Sequence, residues 1–389
     1  MMYNIKTLNK ISESGLSRFS SENFTVDSDN LPDGIVVRSA DMHSMELPNE
    51  LKCIARAGAG YNNIPVEVCS QKGIVVFNTP GANANAVKEL AIGALVLGSR
   101  RVVEGIEWAK SLKGKGAEVP ALAEKGKGSF VGPELMDKHI GVIGLGAVGV
   151  HLANVAVNLG MEVYGYDPYI TVEGAWGLSR SVIHSTSLDA LFTKCDYISI
   201  HVPSNKETRG MINAEAISKM KDGVCIINLA RGDLVDNAAI LAAVESGKVS
   251  RYITDFPEDE LLCRDNVIVI PHLGASTPES EENCAVMAVD QISDYLQNGN
   301  IKNSVNFPSV SMDWLGEYRL CIINRNVPNM VGSISSILAK DGINIENMVN
   351  RSRGDYAYTI IDTNCEISDQ VRADIVAVDG VMRLRIISR

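Results

Sequence analysis

Three side-chain types in this sequence could together take the proton of an alcohol whose hydride passes to a separate acceptor. Arg231 lies in Asn228-Leu229-Ala230-Arg231-Gly232, and His272 lies in Pro271-His272-Leu273-Gly274. Between them runs the acidic stretch Asp255-Phe256-Pro257-Glu258-Asp259-Glu260. Such an oxidation requires a base for the hydroxyl proton, a cation for a substrate carboxylate and the forming carbonyl, and a group that tunes the base. Imidazole exchanges a proton near neutral pH. Guanidinium offers a fixed fork of donors, and a carboxylate beside the ring would orient it and stabilise imidazolium. Singly, each residue is commonplace. Their weight comes from what precedes them.

Upstream, the strand-like Lys138–Ile143 leads into Gly144-Leu145-Gly146-Ala147-Val148-Gly149, and then into a helical pattern over Val150–Leu159. A second strand, Glu162–Tyr166, ends in Asp167, eighteen residues past the third glycine. Strand, glycine turn, helix and terminal acid form the dinucleotide fingerprint. The glycines serve a tight turn, close approach of backbone to pyrophosphate, and close helix–strand packing. The helix start offers unpaired N–H groups to the phosphates. Asp167 would accept the adenosine ribose hydroxyls and repel a 2′-phosphate. Pro168 and Tyr169 supply no compensating cation, so NAD is expected rather than NADP.

These residues must be carried by alternating strands and helices. Gly34–Val37, Cys53–Ala55 and Ile74–Phe77 read as buried strands separated by helices or turns, the pattern of a parallel sheet. A long helix rich in small residues is predicted over Ala84–Glu107, followed by an exposed loop at 111–128. A second series places strands at His139–Ile143, Glu162–Tyr166, Tyr197–His201, Val224–Asn228, Arg251–Asp255 and Val267–Pro271. Arg231, the acidic run and His272 thus follow strand ends, which face the ligand crevice in parallel sheets. A helix at Glu281–Leu296 and a linker lead into a βαββαβ tail, a ferredoxin-like order.

Composition bounds the partners. The 389 residues carry 36 Lys and Arg against 47 Asp and Glu, a net charge of −11, which argues against nucleic acid. No apolar run approaches the ~20 residues of a membrane span, so no membrane partner is expected. The start of the chain lacks the apolar run of a secretory signal, and a cytoplasmic location is expected. The eight cysteines contain no CxxC pair, and the nearest two stand sixteen residues apart. That spacing predicts free thiols and no metal.

With these motifs in view, the sequence resembles the D-2-hydroxyacid dehydrogenase family. The resemblance rests on Arg56-Ala57-Gly58-Ala59-Gly60-Tyr61-Asn62-Asn63-Ile64, Asn78-Thr79-Pro80-Gly81, the glycine fingerprint, Asn228–Gly232, and Pro271–Thr277. It implies a Rossmann-type doubly wound parallel sheet at 91–283, inserted in a flavodoxin-like substrate-binding domain formed by 1–90 and 284–312. The activity it implies is NAD-dependent oxidation of 3-phosphoglycerate to 3-phosphohydroxypyruvate. Catalysis would fall to Arg231, an acid and His272. The cofactor set would comprise Gly144, Gly146, Ala147, Val148, Gly149, Asp167, Pro203, Ala230, Asp255, His272 and Gly274, with Asp255 matching the family's aspartate on the nicotinamide amide. This chain lacks the family's usual Glu-Pro and has a shortened loop before the histidine. Gap-free counting from Arg231 gives the acid as Glu260, with Glu258 as the alternative. By position, Arg38 and the backbone amides of Gly58, Ala59 and Gly60 are the candidates for the substrate phosphate, beside Arg231 on the carboxylate.

The tail, 318–389, looks like an ACT domain, a class that commonly binds amino acids. Asn326 and Asn344 match two asparagines of the serine-binding pattern, whereas Asn324 replaces a histidine and Pro328-Asn329 the usual Pro-Gly. L-serine is therefore an expected effector, set against a dimerisation module without ligand. A homodimer or homotetramer is expected. The rival functions are another D-2-hydroxyacid dehydrogenase, such as a hydroxypyruvate or glyoxylate reductase, and an NAD-sensing regulator on the same fold.

Overall fold

The structure is a computed structural model and describes residues 2–389. It divides into two compact units, one of residues 1–83 with 278–389 and the other of Ala84–Thr277.

In the first unit, five parallel strands lie in the order Phe24–Val26, Tyr3–Leu8, Gly34–Val37, Cys53–Arg56, Val75–Phe77. This is the flavodoxin-like order, whose switch point falls between Tyr3–Leu8 and Gly34–Val37. Arg38 leaves the sheet at that point. The first two strands escaped the sequence reading, because Lys6 and Thr7 interrupt the apolar pattern of Tyr3–Leu8 and Phe24–Val26 has only three residues. The helix Pro278–Asn298 buries Cys284, Ala285, Ala288, Val289, Ile292, Tyr295 and Leu296 in the core shared with this sheet. Gly15 lets the short helix Glu13–Leu16 approach it, since a Cβ there would lie 2.6 Å from Ala285.

The tail forms a four-stranded antiparallel sheet in the order Asn347–Arg353, Tyr356–Thr363, Tyr318–Arg325, Val381–Ser388. With the helices Met330–Lys340 and Asp369–Val376 it completes the expected βαββαβ fold. Alternation along Tyr318–Arg325 sorts its side chains onto two faces. Leu320 and Ile322 pack with Ile334, Leu338, Val371 and Ile375 of the helices. Cys321 and Ile323 join the core of Tyr3, Tyr295, Leu296 and Phe307. The central strands of the tail sheet are buried on both faces, and the tail belongs to the first unit.

The second unit holds seven parallel strands in the order Ile183–His184, Glu162–Tyr166, His139–Ile143, Tyr197–Ile200, Val224–Asn228, Val249–Thr254, Val267–Val269. The reversal between His139–Ile143 and Tyr197–Ile200 is a Rossmann switch point. The α/β class, the two parallel sheets and the antiparallel tail agree with expectation. Two local expectations are corrected. The single helix expected over Ala84–Glu107 is two, Ala84–Ser99 and Val102–Ser111, and the loop expected at 111–128 is largely helical, with Val119–Gly126 and short 3-10 turns. Their apolar residues, none of them fully buried, gave no stripe strong enough to read; Trp108 and Phe130 simply pack on each other at 5.4 Å. The domain boundaries fall at 83/84 and 277/278 instead of 90/91 and 283/284. The whole helix Ala84–Ser99 packs on the nucleotide layer and the whole of Pro278–Asn298 on the flavodoxin-like sheet.

Candidate active site and cofactor cradle

The glycine turn is built as its motif demands. Gly144 follows the strand His139–Ile143 at φ +90°, a conformation that L side chains rarely adopt. A Cβ there would also lie 2.7 Å from the carbonyl of His201, across the switch point. A side chain at Gly149 would collide with the Gly144 carbonyl. At Gly146, by contrast, a Cβ would meet open space, and this residue caps the helix Ala147–Asn158 without a side-chain acceptor. The amides of Ala147 and Val148 therefore open the helix beside unfilled volume, the arrangement that receives a pyrophosphate. Asp167 is held by two backbone donors, Leu145 N–H to Oδ2 and Tyr169 N–H to Oδ1, each at 2.8 Å. Its carboxylate is thus fixed at the strand end where a ribose would lie. These features fit NAD.

Sequence reasoning passed over His201. Its Nε2 lies 2.8 Å from Ser199 Oγ, and burial pushes the imidazole down to about 4. It is therefore neutral at physiological pH.

Arg231, the acidic run and His272 follow the ends of three neighbouring strands, Val224–Asn228, Val249–Thr254 and Val267–Val269. Asn228 shapes the first turn: its Nδ2 donates to the Arg231 carbonyl and its Oδ1 accepts the Ala230 amide. Arg231 Nη1 donates to the Ala230 carbonyl at 2.6 Å, and the side chain is exposed with the rest of its fork open. Pro203 offers its carbonyl to Thr208 Oγ1. His272 sits at φ +55°, in the left-handed region, with its N–H on the Ile270 carbonyl and its ring 5.1 Å from that of Phe256. Its ring nitrogens are free of hydrogen bonds among the described residues.

The two candidate acids differ in surroundings. Glu258 Oε2 accepts Asn237 Nδ2 at 2.7 Å, and Oε1 lies 3.4 Å from where a Cβ on Gly232 would stand, so this carboxylate is beside Arg231's own turn. Glu260 lies in the exposed 3-10 turn Asp259–Leu261, where only its backbone carbonyl is bonded, to Arg264. Asp255 accepts one backbone donor on each oxygen, Leu273 N–H on Oδ1 and Gly274 N–H on Oδ2, each at 2.7 Å.

In the first unit, Arg38 Nη2 is paired with Glu281 Oε1 at 2.6 Å, both side chains partly exposed. Asn9 Oδ1 accepts the amides of Ser39 and Ala40 and so shapes the turn that carries Arg38. The loop Gly58–Gly60 is pinned by its carbonyls, Gly58 to the Thr79 amide and Ala59 to Asn78 Nδ2. Arg56, a cation quoted above without a role, folds its guanidinium back over Gly58 (φ +146°) into the space a Cβ there would take, and its Nε donates to the Arg38 carbonyl at 3.0 Å. In the tail, Asn326 Nδ2 donates to Gly354 and Asn344 Nδ2 to Glu346 Oε1. Among the described residues no cluster of His, Cys, Asp or Glu could hold a metal ion, and no helix is long and apolar enough to cross a membrane.

Residues 93–274 match the model of the D-isomer specific 2-hydroxyacid dehydrogenase, NAD binding domain. The D-3-phosphoglycerate dehydrogenase of Escherichia coli (strain K12) is 33% identical over 341 residues, covering 84% of this chain and 79% of that protein. A hydroxypyruvate reductase of Thermotoga maritima is 41% identical over 272 residues, covering 67% and 83%. The chain belongs to the D-isomer specific 2-hydroxyacid dehydrogenases. Its NAD-binding unit is the seven-stranded one. A crystal structure of NAD+-bound 3-phosphoglycerate dehydrogenase from Entamoeba histolytica matches with a TM-score of 0.60 at 30% identity, covering 79% of this chain and 99% of that one. Against other relatives named D-3-phosphoglycerate dehydrogenase, the match spans only about half of their length, 51% to 56%.

Proposed function

We propose that this chain is an NAD-dependent D-3-phosphoglycerate dehydrogenase. The observation that carries the reading is the alignment of Arg231, the acidic run and His272 on three neighbouring strand ends, in the sheet whose switch point fits NAD. Relatives of that name at 33% to 35% identity support the substrate. Bound NAD supplies the hydride acceptor. His272 takes the proton of the substrate's 2-hydroxyl and returns it in the reverse direction. Arg231 turns its fork from the Ala230 carbonyl to the substrate carboxylate, holding it and polarising the forming carbonyl. The acid that supports imidazolium is Glu260 by counting. Glu258, beside Gly232, is the alternative that its surroundings favour.

For the phosphate we retain Arg38 and the Gly58–Gly60 amides, Arg38 exchanging Glu281 for the substrate. The tail is read as an ACT domain with L-serine at Asn326 and Asn344, and the assembly as a homodimer or homotetramer. Calorimetry with millimolar L-serine tests the effector, and absence of heat removes it. The Thermotoga relative favours a second reading, hydroxypyruvate reduction, which keeps the same residues without a phosphate site. His272→Asn decides the mechanism: turnover of 3-phosphoglycerate should fall by roughly 10²–10⁴-fold with NAD binding retained. Near-normal turnover in that variant would refute the role of His272.

A further inference from the structure

The Asp255 carboxylate is 1% exposed, yet it faces no guanidinium or ammonium. A buried charge persists only where its hydrogen bonds are satisfied. Here both partners are consecutive backbone N–H groups, those of Leu273 and Gly274, immediately after His272. His272 itself holds a left-handed backbone at φ +55°, a conformation that a non-glycine residue keeps only when its surroundings over-determine it. Gly274 belongs to the same device: a Cβ there would stand 2.9 Å from Asp255 Oδ2 and 3.6 Å from Val87, displacing the carboxylate. The next residue, Phe256, places its ring against that of His272. Two successive residues thus hold the histidine, Asp255 by its following backbone and Phe256 by its imidazole.

We propose that Asp255 is a positioning residue. Its carboxylate clamps the Leu273 and Gly274 amides and thereby fixes the strained turn that aims His272. The consequence for catalysis rests on the reading of His272 as the proton-exchanging group; the clamp itself does not.

The test uses the full chain with Asp255→Asn, which keeps the volume but sets an NH2 group against one backbone N–H. Amide hydrogen exchange over 271–276 should quicken by roughly tenfold, with exchange elsewhere unchanged. In the same variant kcat should fall roughly 100-fold while KM for NAD stays within about threefold. Gly274→Ala attacks the clamp from its other side and should give the same pattern more weakly. It also keeps the question open to test should Asp255→Asn fold poorly. Unchanged exchange over 271–276 in both variants would overturn the clamp. Faster exchange with kcat intact would overturn its role in aiming His272, and a raised KM for NAD with kcat retained would make Asp255 a cofactor ligand rather than a positioning residue. Should no substrate turn over at all, the exchange measurement still decides the clamp and only the functional reading falls.

Discussion

Two buried aspartates solve the same problem differently. In the tail sheet, Asp362 is fully buried and meets a cation: Arg319 Nε and Nη2 at 2.6 and 2.8 Å, with the Leu315 amide at 3.0 Å. Arg319 spends its remaining donor on the Asn298 and Met312 carbonyls. In the nucleotide unit, Asp255 is equally buried but bonds only backbone amides. The first arrangement neutralises charge and ties the tail sheet to the end of the helix Pro278–Asn298. The second neutralises nothing and instead dictates the path of a turn. The contrast shows how to tell the two uses of a buried carboxylate apart. A guanidinium partner marks a structural tie, and a pair of successive amides beside a left-handed residue marks a placed side chain.

The strongest way to break this contrast is Asp362→Ala. It would leave Arg319 buried and uncompensated, costing about 3–5 kcal/mol of stability, read as a fall in the urea midpoint. A near-normal midpoint would show that the tie is not electrostatic. Asp167 sharpens the comparison from the other side. It is clamped by two backbone amides, as Asp255 is, but at a strand end prepared for a ligand. Asp167→Ala should weaken NAD binding by about 1.5–3 kcal/mol, the worth of bonds to a charged acceptor, and narrow the preference for NAD over NADP. An unchanged NAD/NADP ratio would remove its ribose role.

The smallest effect concerns pH. Burial raises the Asp255 carboxyl above its ordinary value of 3.8, with the Gly274 and Leu273 amides opposing the rise. An acid raised in the folded state holds its proton there at a pH where the unfolded chain has released it. Its contribution to stability therefore falls as pH rises through the window above 3.8. Relative to Asp255→Asn, wild type should lose stability between pH 4 and pH 7 in paired urea titrations. A constant difference would contradict this.

Much of this fold was readable in advance, for physical reasons that can be named. The glycine fingerprint was readable because backbone geometry leaves little choice at Gly144 and Gly149. The tail order was readable because Tyr318–Arg325 and Tyr356–Thr363 are unusually apolar runs. Tyr3–Leu8 was missed because the polar residues Asn4, Lys6 and Thr7 break its apolar run and dilute its period-two signal. In the site, residue types at strand ends were legible, but partners were not. Arg38 and Glu281 are 243 residues apart, and no local pattern announces their pairing. Asp255 was matched by resemblance to the nicotinamide amide, and the two backbone amides it also holds leave no mark in a sequence. Arg56 was likewise hidden, since its guanidinium lies over Gly58 in the space that a side chain there would take.

The central claim is the substrate, and one measurement addresses it most directly: initial rates of NADH oxidation with 3-phosphohydroxypyruvate, hydroxypyruvate and 2-oxoglutarate. Recognition of the phosphate should give the phosphorylated acid a kcat/KM at least roughly tenfold above that of hydroxypyruvate, about 1.4 kcal/mol. Arg38→Ala should erase most of that advantage. Equal or better turnover of hydroxypyruvate would contradict it and make the chain a hydroxypyruvate reductase.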